Sequence, residues 1–398
     1  MCGDRFELQK NFAKHKIYDV WQFVEYAEQN LATVHYCADI LKSLIEVTDN
    51  KTVRWEQSLF SDFIETKDDT GKKVKKIEVR ELPKTDVRVV GQKINPWFLF
   101  DKLIRDFFQY AMNTFDSMAQ IANAGLFANS SKQIDSVDFQ RMETWISSAT
   151  FASDFPLTAN WFSEVLASPE FKYIEAINNR TKHTARIANK LSIGLLGSNT
   201  SAKIGPFFRK NVQHDSKALQ DQLDATLDFL EMKWNEFKSA FEAEYVLDKR
   251  TKERYHTIDG VKQQVVKGEA YGTYSCAYIV SEKEFSLMPD EFHLLLVRER
   301  EKEILVHNAP FDSIFVCDRT GNILQSKGRY IADSNDALTD DCLIKYRKYV
   351  KDATPVSQCI NDAFMKESIF YHDNPFFNVE TVTNDKDFYK GFSYLYKE

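Results

Sequence analysis

The groups best suited to chemistry sit in one polar run, Asn178-Asn179-Arg180-Thr181-Lys182-His183, with Arg186 close behind. An imidazole exchanges a proton near neutral pH, and a guanidinium holds a phosphate through parallel N–H bonds. If Ile174, Ile177 and Thr181 form the buried stripe of a helix, His183 lies nine residues past Ile174 and points the opposite way, at 100° per residue. Asn179 and His183 are four apart, and Arg180 and His183 three apart, so the three side chains are neighbours. The functional reading makes Arg180 and His183 the reactive pair, with Asn179, Lys182 and Arg186 holding a substrate. The competing reading is a solvated polar face.

A wider Arg-to-His spacing, with four to six residues between, occurs at Arg209/His214, Arg250/His256 and Arg300/His307. Arg209-Lys-Asn-Val-Gln-His214 has the best context, directly before a long helical stretch. Its plain alternative is a helix entry capped by Asp215 or Ser216. Tyr371-His372-Asp373 sets an imidazole beside a carboxylate ahead of Asn374-Pro375 and reads as an exposed turn. Asp333, Asp336, Asp340 and Asp341 lack the spacing of a calcium loop and read as a solvated acidic loop. Phosphate-binding glycine loops, a dinucleotide fingerprint, a zinc-protease helix and a nucleophile elbow are all missing from the sequence. The Cys/His set has no zinc spacing, so no metal and no cofactor is expected.

The elements that must position these residues are mostly helices up to about residue 250. Val20, Phe23, Val24, Ala27, Leu31, Val34, Ala38, Leu41 and Ile45 mark a helix over 17–47. Asn95-Pro96 opens a second, with the stripe Phe100, Leu103, Phe107, Ala111, Phe115, Met118 and Ala122. A shorter helix is expected over 137–147. Another spans 158–188, with a break at Ser168-Pro169, and carries the polar run. Gly194, Gly197, Gly205 and Pro206 make 191–209 a loop or small hairpin. The last long helix, over 216–247, steps through Leu219, Leu223, Leu227, Leu230, Trp234, Phe237, Phe241 and Tyr245. Rods of this length favour a shallow-angle bundle. An alternating segment around Val74 reads as a short strand.

Beyond residue 250 the period changes to that of strands. Asp259-Gly260 is a hairpin signal, and 271–280, 292–297, 304–306 and 314–317 read as strands. Asp318 to Asn322 reads as a further turn, and 356–365 as a helix. The expected fold class is α+β: a long-helix bundle over 1–250, then a smaller strand-rich domain over 251–398.

Composition narrows the partners. The 398 residues carry a net charge of −7, which argues against a dedicated nucleic-acid binder and favours the protein-partner alternative, although local basic runs occur at Lys72 to Lys76 and from Arg180 to Lys190. Thirty-one phenylalanines read first as core. The six cysteines are scattered, as in a reducing compartment. No secretory leader is recognisable and no window reaches the ~18 apolar residues of a membrane span, so a cytoplasmic protein is expected.

Long helices with an Arg/Asn/Lys/His cluster at the end of the third resemble the HEPN superfamily over roughly residues 15–250. That resemblance implies a helical bundle, often a homodimer, found in bacterial toxins and antiviral defence systems, and in many members a metal-independent ribonuclease. The family motif is Arg, four to six residues, then His. Arg180 and His183 have two residues between them, whereas Arg209 and His214 keep the family spacing. The expected function is therefore RNA binding or RNA cleavage. The alternative is a non-catalytic interaction protein whose bundle dimerises and whose C-terminal domain recognises a protein partner.

Overall fold

Long apolar stripes become long helices. In the computed structural model the described residues are 5–15, 17–61, 64–76, 87–127, 130–132, 134–184, 186–192, 200–247 and, beyond these, the strands and short flanks at 261–267, 275–281, 291–300, 303–308, 313–317, 329–334 and 347–352. In chain order they form α1 (Arg5–Lys14), α2 (Asp19–Ser61), the hairpin strands β1 (Ile64–Lys67) and β2 (Lys73–Lys76), a second hairpin β3 (Val87–Val89) and β4 (Gln92–Ile94), and α3 (Pro96–Leu126). Then come α4 (Phe139–Ile146), α5 (Ala149–Ala152), α6 (Pro156–Ala167), α7 (Pro169–His183), β5 (Lys190–Ser192), β6 (Ser201–Ile204), β7 (Phe207–Arg209), β8 (Val212–His214), β9 (Lys217–Ala218) and α8 (Leu219–Glu244). The remaining strands are β10 (Val261–Lys267), β11 (Ser275–Ser281), β12 (Glu291–Arg300), β13 (Glu303–Asn308), β14 (Ser313–Cys317), β15 (Arg329–Ala332) and β16 (Arg347–Lys351). The fold class is α+β.

Contacts divide the chain into two compact units. One comprises residues 23–120 and 133–244, the other 1–22, 121–132 and 245–398.

In the first unit the helices lie side by side around an aromatic core. Phe139 on α4 sits at its centre, 5.4 Å from Phe115, 4.9 Å from Phe162 and 4.7 Å from Phe171, ring centre to ring centre. Trp161 bridges Phe139 and Phe237 at 5.8 and 4.9 Å. Aromatic pairs at such separations add stabilisation beyond their buried area, which is where many of the phenylalanines go. Leu223, Leu230, Trp234, Phe237 and Phe241 bury the stripe of α8 in this core, while Leu227 is half-buried. On the outer side α8 is tied to α2 by Lys42–Asp224 (2.6 Å) and His35–Glu231 (2.8 Å).

The junction between α6 and α7 falls at Ser168-Pro169. Ser168 caps α7 by accepting the Glu170 N–H at 3.2 Å, and Pro169 supplies the first helical residue, whose missing N–H costs nothing there. Helix α6 begins with Pro156 after Phe155, which has no capping side chain. Its exposed N–H groups are met by Glu244, the last residue of α8: the carboxylate accepts from Leu157 N (2.6 Å), Thr158 N (2.9 Å) and the Thr158 hydroxyl (2.6 Å).

The second unit holds a seven-stranded sheet in the order β10-β11-β14-β15-β16-β12-β13, antiparallel throughout except for the parallel pair β11–β14. Tyr330 and Tyr349 are fully buried. The Gln9 side chain of α1 treats the outer strand β13 as a ladder partner, donating to Ile304 O (2.7 Å) and accepting from Ile304 N (3.0 Å). An amide side chain thereby satisfies one peptide unit of an edge strand.

Some sequence readings differ from the structure. Helix α2 runs on to Ser61, well past the expected end at 47. Helix α1, β1, the β3–β4 hairpin, β8 and β9 are not anticipated by the sequence, whereas β5 to β7 fall in the stretch read as a loop or small hairpin. The segment from Arg209 to His214 is not a helix entry. Lys210 and Asn211 both take left-handed backbone angles (φ 49° and 64°), which fold the segment into a two-residue hairpin turn between β7 and β8. The expected turn at 259–260, the turn at 318–322, the helix over 356–365, Arg250/His256, Tyr371 to Asp373, Asp336, Asp340 and Asp341 lie outside the described residues.

Candidate functional site

Helix α7 packs through Tyr173 on the hairpin that carries Arg209 and His214. Tyr173 and Arg180 are seven residues apart, two turns of α7, and so share a face. Tyr173 packs on the β7–β8 hairpin, its ring 6.0 Å from Phe207 and 5.7 Å from His214. In the hairpin Phe207 pairs with His214 and Arg209 with Val212, so Arg209 and His214 point to the same side as diagonal neighbours, roughly 7–8 Å apart. The hairpin that carries Arg209 and His214 therefore packs on the face of α7 on which Arg180 lies two turns further along.

His214 is stacked flat on Phe207, ring centres 4.5 Å apart, and Lys217 lies with its Nζ 3.7 Å above the Tyr173 ring. Burial lowers the His214 pKa and the nearby Lys217 charge lowers it further, so the imidazole is neutral at pH 7 and able to accept a proton. Lys217 is held by Gln222 Oε1 at 2.5 Å. Glu170 Oε1 accepts in turn from Gln222 Nε2 (2.5 Å) and the Thr226 hydroxyl (2.7 Å). Burial raises the Tyr173 pKa, and the Glu170 charge adds to that, so the phenol stays protonated. Tyr173, Lys217 and the Gln222–Glu170 network that holds Lys217 were absent from the sequence reading, because Tyr173 looks like an ordinary member of a buried stripe.

The predicted residues divide by what already occupies them. His183 is exposed on the last turn of α7, with Lys182 exposed beside it, while Asn178 is buried. Asn179 donates to Glu175 at 3.1 Å, and Glu175 also accepts from Gln140 at 2.8 Å, so this amide braces α7 against α4. Arg186 is paired with Asp101. Arg180 and Arg209 are half-buried, and each has a sheltered Nε–H that meets no acceptor among the described residues. A sheltered donor without an acceptor calls for an explanation, and an anion is one that guanidinium chemistry supplies. The Arg300/His307 pair is not brought together. Arg300 pairs with Glu303 and His307 with Leu296, four ladder steps apart, or about 13 Å.

The chain from the end of α7 to β9 is strongly basic. Residues 180–217 contain eight Lys or Arg (180, 182, 186, 190, 203, 209, 210 and 217) against the single acid Asp215. That segment carries +7 in a chain of −7, leaving −14 for the rest. In the small sheet β5-β6-β9, Lys190 lies directly opposite Lys203, and both are exposed. Like charges directly opposite destabilise a sheet by roughly 0.2–1 kcal/mol. Neither lysine has an acidic partner among the described residues. Among those residues no group of three His, Cys, Asp or Glu is placed to hold a metal. Cys37 is buried, and burial pushes its thiol up to about 11, so it is no nucleophile. Among the described residues no helix is long and apolar enough to cross a membrane.

Comparison with known families matches residues 256–383 to a domain of unknown function, DUF8310. The match covers about a third of the chain, spans β10 to β16, and leaves the α7–hairpin face outside it. Comparisons with curated proteins and with solved structures return no match.

Proposed function

We propose that this chain is a HEPN-like RNA-binding protein, and that the face built from α7, β5 to β9 and the β7–β8 turn is where RNA sits. The observation that carries the reading is the charge distribution: residues 180–217 sum to +7 in a chain of −7, and among the described residues only Arg186 of the eight basic residues is paired with a carboxylate, that of Asp101. A polyanion repays the cost of holding Lys190 opposite Lys203, and releases its counterions on binding. Arg180 and Arg209 contact phosphates, and His214, neutral at pH 7, takes the proton of a ribose 2′-hydroxyl as that oxygen bonds to the adjacent phosphorus, while the P–O5′ bond breaks and the leaving 5′-oxygen takes a proton from water. In this reading the protein works as a cytoplasmic homodimer in a bacterial defence or toxin setting, as the family resemblance implies.

Two variant arms test it against a labelled single-stranded RNA. Arg209→Ala is expected to flatten the slope of log affinity against log salt by roughly 0.7, one single-strand phosphate contact. Arg180→Ala is expected to do the same. His214→Ala is expected to abolish cleavage while leaving binding within a few-fold of wild type. His183→Ala, exposed on the last turn of α7, is the parallel arm. If His183→Ala rather than His214→Ala stops cleavage, the close-spaced pair is the reactive one. A wild-type protein that binds no RNA at low salt overturns the proposal.

A further inference from the structure

Beside the basic face, α3 and the segment after α7 enclose a pocket of about 260 Å³. Its apolar lining includes Ile104, Ile187 and the ring of Phe98, which is 63% exposed in the first turn of α3. An exposed phenylalanine at the lining of a concave site is a stacking surface without a stacked partner. Asp101 is fixed among the lining residues: Arg186 pairs with it, and Asn189 Nδ2 donates to its Oδ1 at 3.2 Å. Asn189 is itself held by the Gly205 N–H, which donates to its Oδ1 at 3.3 Å. A carboxylate offers about four acceptor sites, and these bonds leave some of them free. Arg105 also lines the pocket and is paired with Asp106 at 3.8 Å.

We infer that this pocket takes one unstacked base of a single-stranded RNA, a refinement that rests on the RNA-binding reading above. The volume lies just below the range typical of pockets for drug-sized ligands, so it admits one ring system. Paired bases are not available to enter it, so a duplex is excluded. Phe98 stacks on the base, as aromatic side chains do in single-strand binders. Asp101 accepts from an amino group on the base edge, which adenine, cytosine and guanine carry and uracil lacks. Lys190 follows Asn189 directly in the chain, so the strand leaving the pocket runs onto the Lys190/Lys203 pair.

The probes are a short oligoadenylate, an oligouridylate of equal length, a duplex of the same length, and AMP, each measured on the full chain. Oligoadenylate is expected to bind tighter than oligouridylate or duplex. Phe98→Ala is expected to weaken oligoadenylate binding about fivefold or more and to erase the preference. Because Phe98 is largely exposed, that variant is expected to melt with the wild type. RNA binding with no base preference, unchanged by Phe98→Ala, overturns the pocket and leaves the RNA-binding face intact. AMP binding that depends on Phe98, without any RNA binding, keeps the pocket and sinks the RNA reading. Binding of neither RNA nor AMP overturns both.

Discussion

Asp116 on α3 is a carboxylate held where charge is costly. Its Oδ1 accepts the Phe139 N–H at 3.0 Å, at the start of α4, where Asp138 caps the same helix through Arg141 N at 2.8 Å. Burial raises the Asp116 pKa from 3.8 to about 6; the Phe139 N–H opposes the rise, Asp138 adds to it and Lys182 opposes it. The folded pKa lies above the unfolded one, so between these values the native state holds a proton that the unfolded chain has lost. The stability this gives is complete below pH 3.8 and is lost as pH rises through about 6. A rise of this size corresponds to about 3 kcal/mol. In Asp116→Asn the amide oxygen can still accept from Phe139 and no charge forms. Urea unfolding followed by circular dichroism at about pH 4 and about pH 8 is the assay, with the difference between variant and wild type as the quantity read. The variant is expected to match wild type at the acid end and to be more stable by about 1–3 kcal/mol at the alkaline end. A variant less stable than wild type by the same amount at both pH values would refute the reasoning, since the carboxylate would then act as a needed acceptor and not as a buried charge.

Two further expectations concern how the first unit is held. Glu244→Ala removes the acceptor for Leu157 N, Thr158 N and the Thr158 hydroxyl, leaving the start of α6 uncapped. The cost should be about 2–4 kcal/mol in chemical denaturation, with Glu244→Gln losing less, and an unchanged midpoint for Glu244→Ala would show that water replaces the carboxylate. At Gly205, an added Cβ would lie 2.1 Å from the Ala188 carbonyl oxygen, so Gly205→Ala forces the two backbones apart. That separation should cost about 1–3 kcal/mol and weaken AMP binding through Asn189, and a variant that melts with wild type would show that the backbones separate freely.

Helices were legible where period and punctuation agreed. The stripe of α8 has no residue that interrupts it, and Ser168-Pro169 is both a cap and a first-turn proline, so the break between α6 and α7 is readable in the sequence. Helix α1 is not, because its apolar residues are few and its sequence reads as charged and polar. The β7–β8 hairpin hid for a different reason. Asn211 is an ordinary turn residue, but Lys210 at φ 49° is not, and the pair lacks the glycine that announces such turns. The site was legible only in pieces. Arg180 and Arg209/His214 were each found by spacing, yet nothing in the spacing says that α7 turns its Tyr173 side to the hairpin. That juxtaposition is a tertiary fact, set by Tyr173, Phe207 and His214 packing together. The Phe98 pocket was invisible for the same reason: its lining comes from segments some eighty residues apart in the chain.

The central claim is that the basic segment 180–217 binds RNA, and the salt dependence of binding tests it most directly. Anisotropy of a labelled single-stranded RNA should give a linear fall of log affinity with log salt in the wild type. The paired reversal Lys190→Glu with Lys203→Glu should flatten that slope by about 1.4 or more, the loss of two single-strand phosphate contacts, without lowering the melting temperature. RNA affinity absent in the wild type at low salt, or a slope identical in wild type and the double variant, would contradict the account.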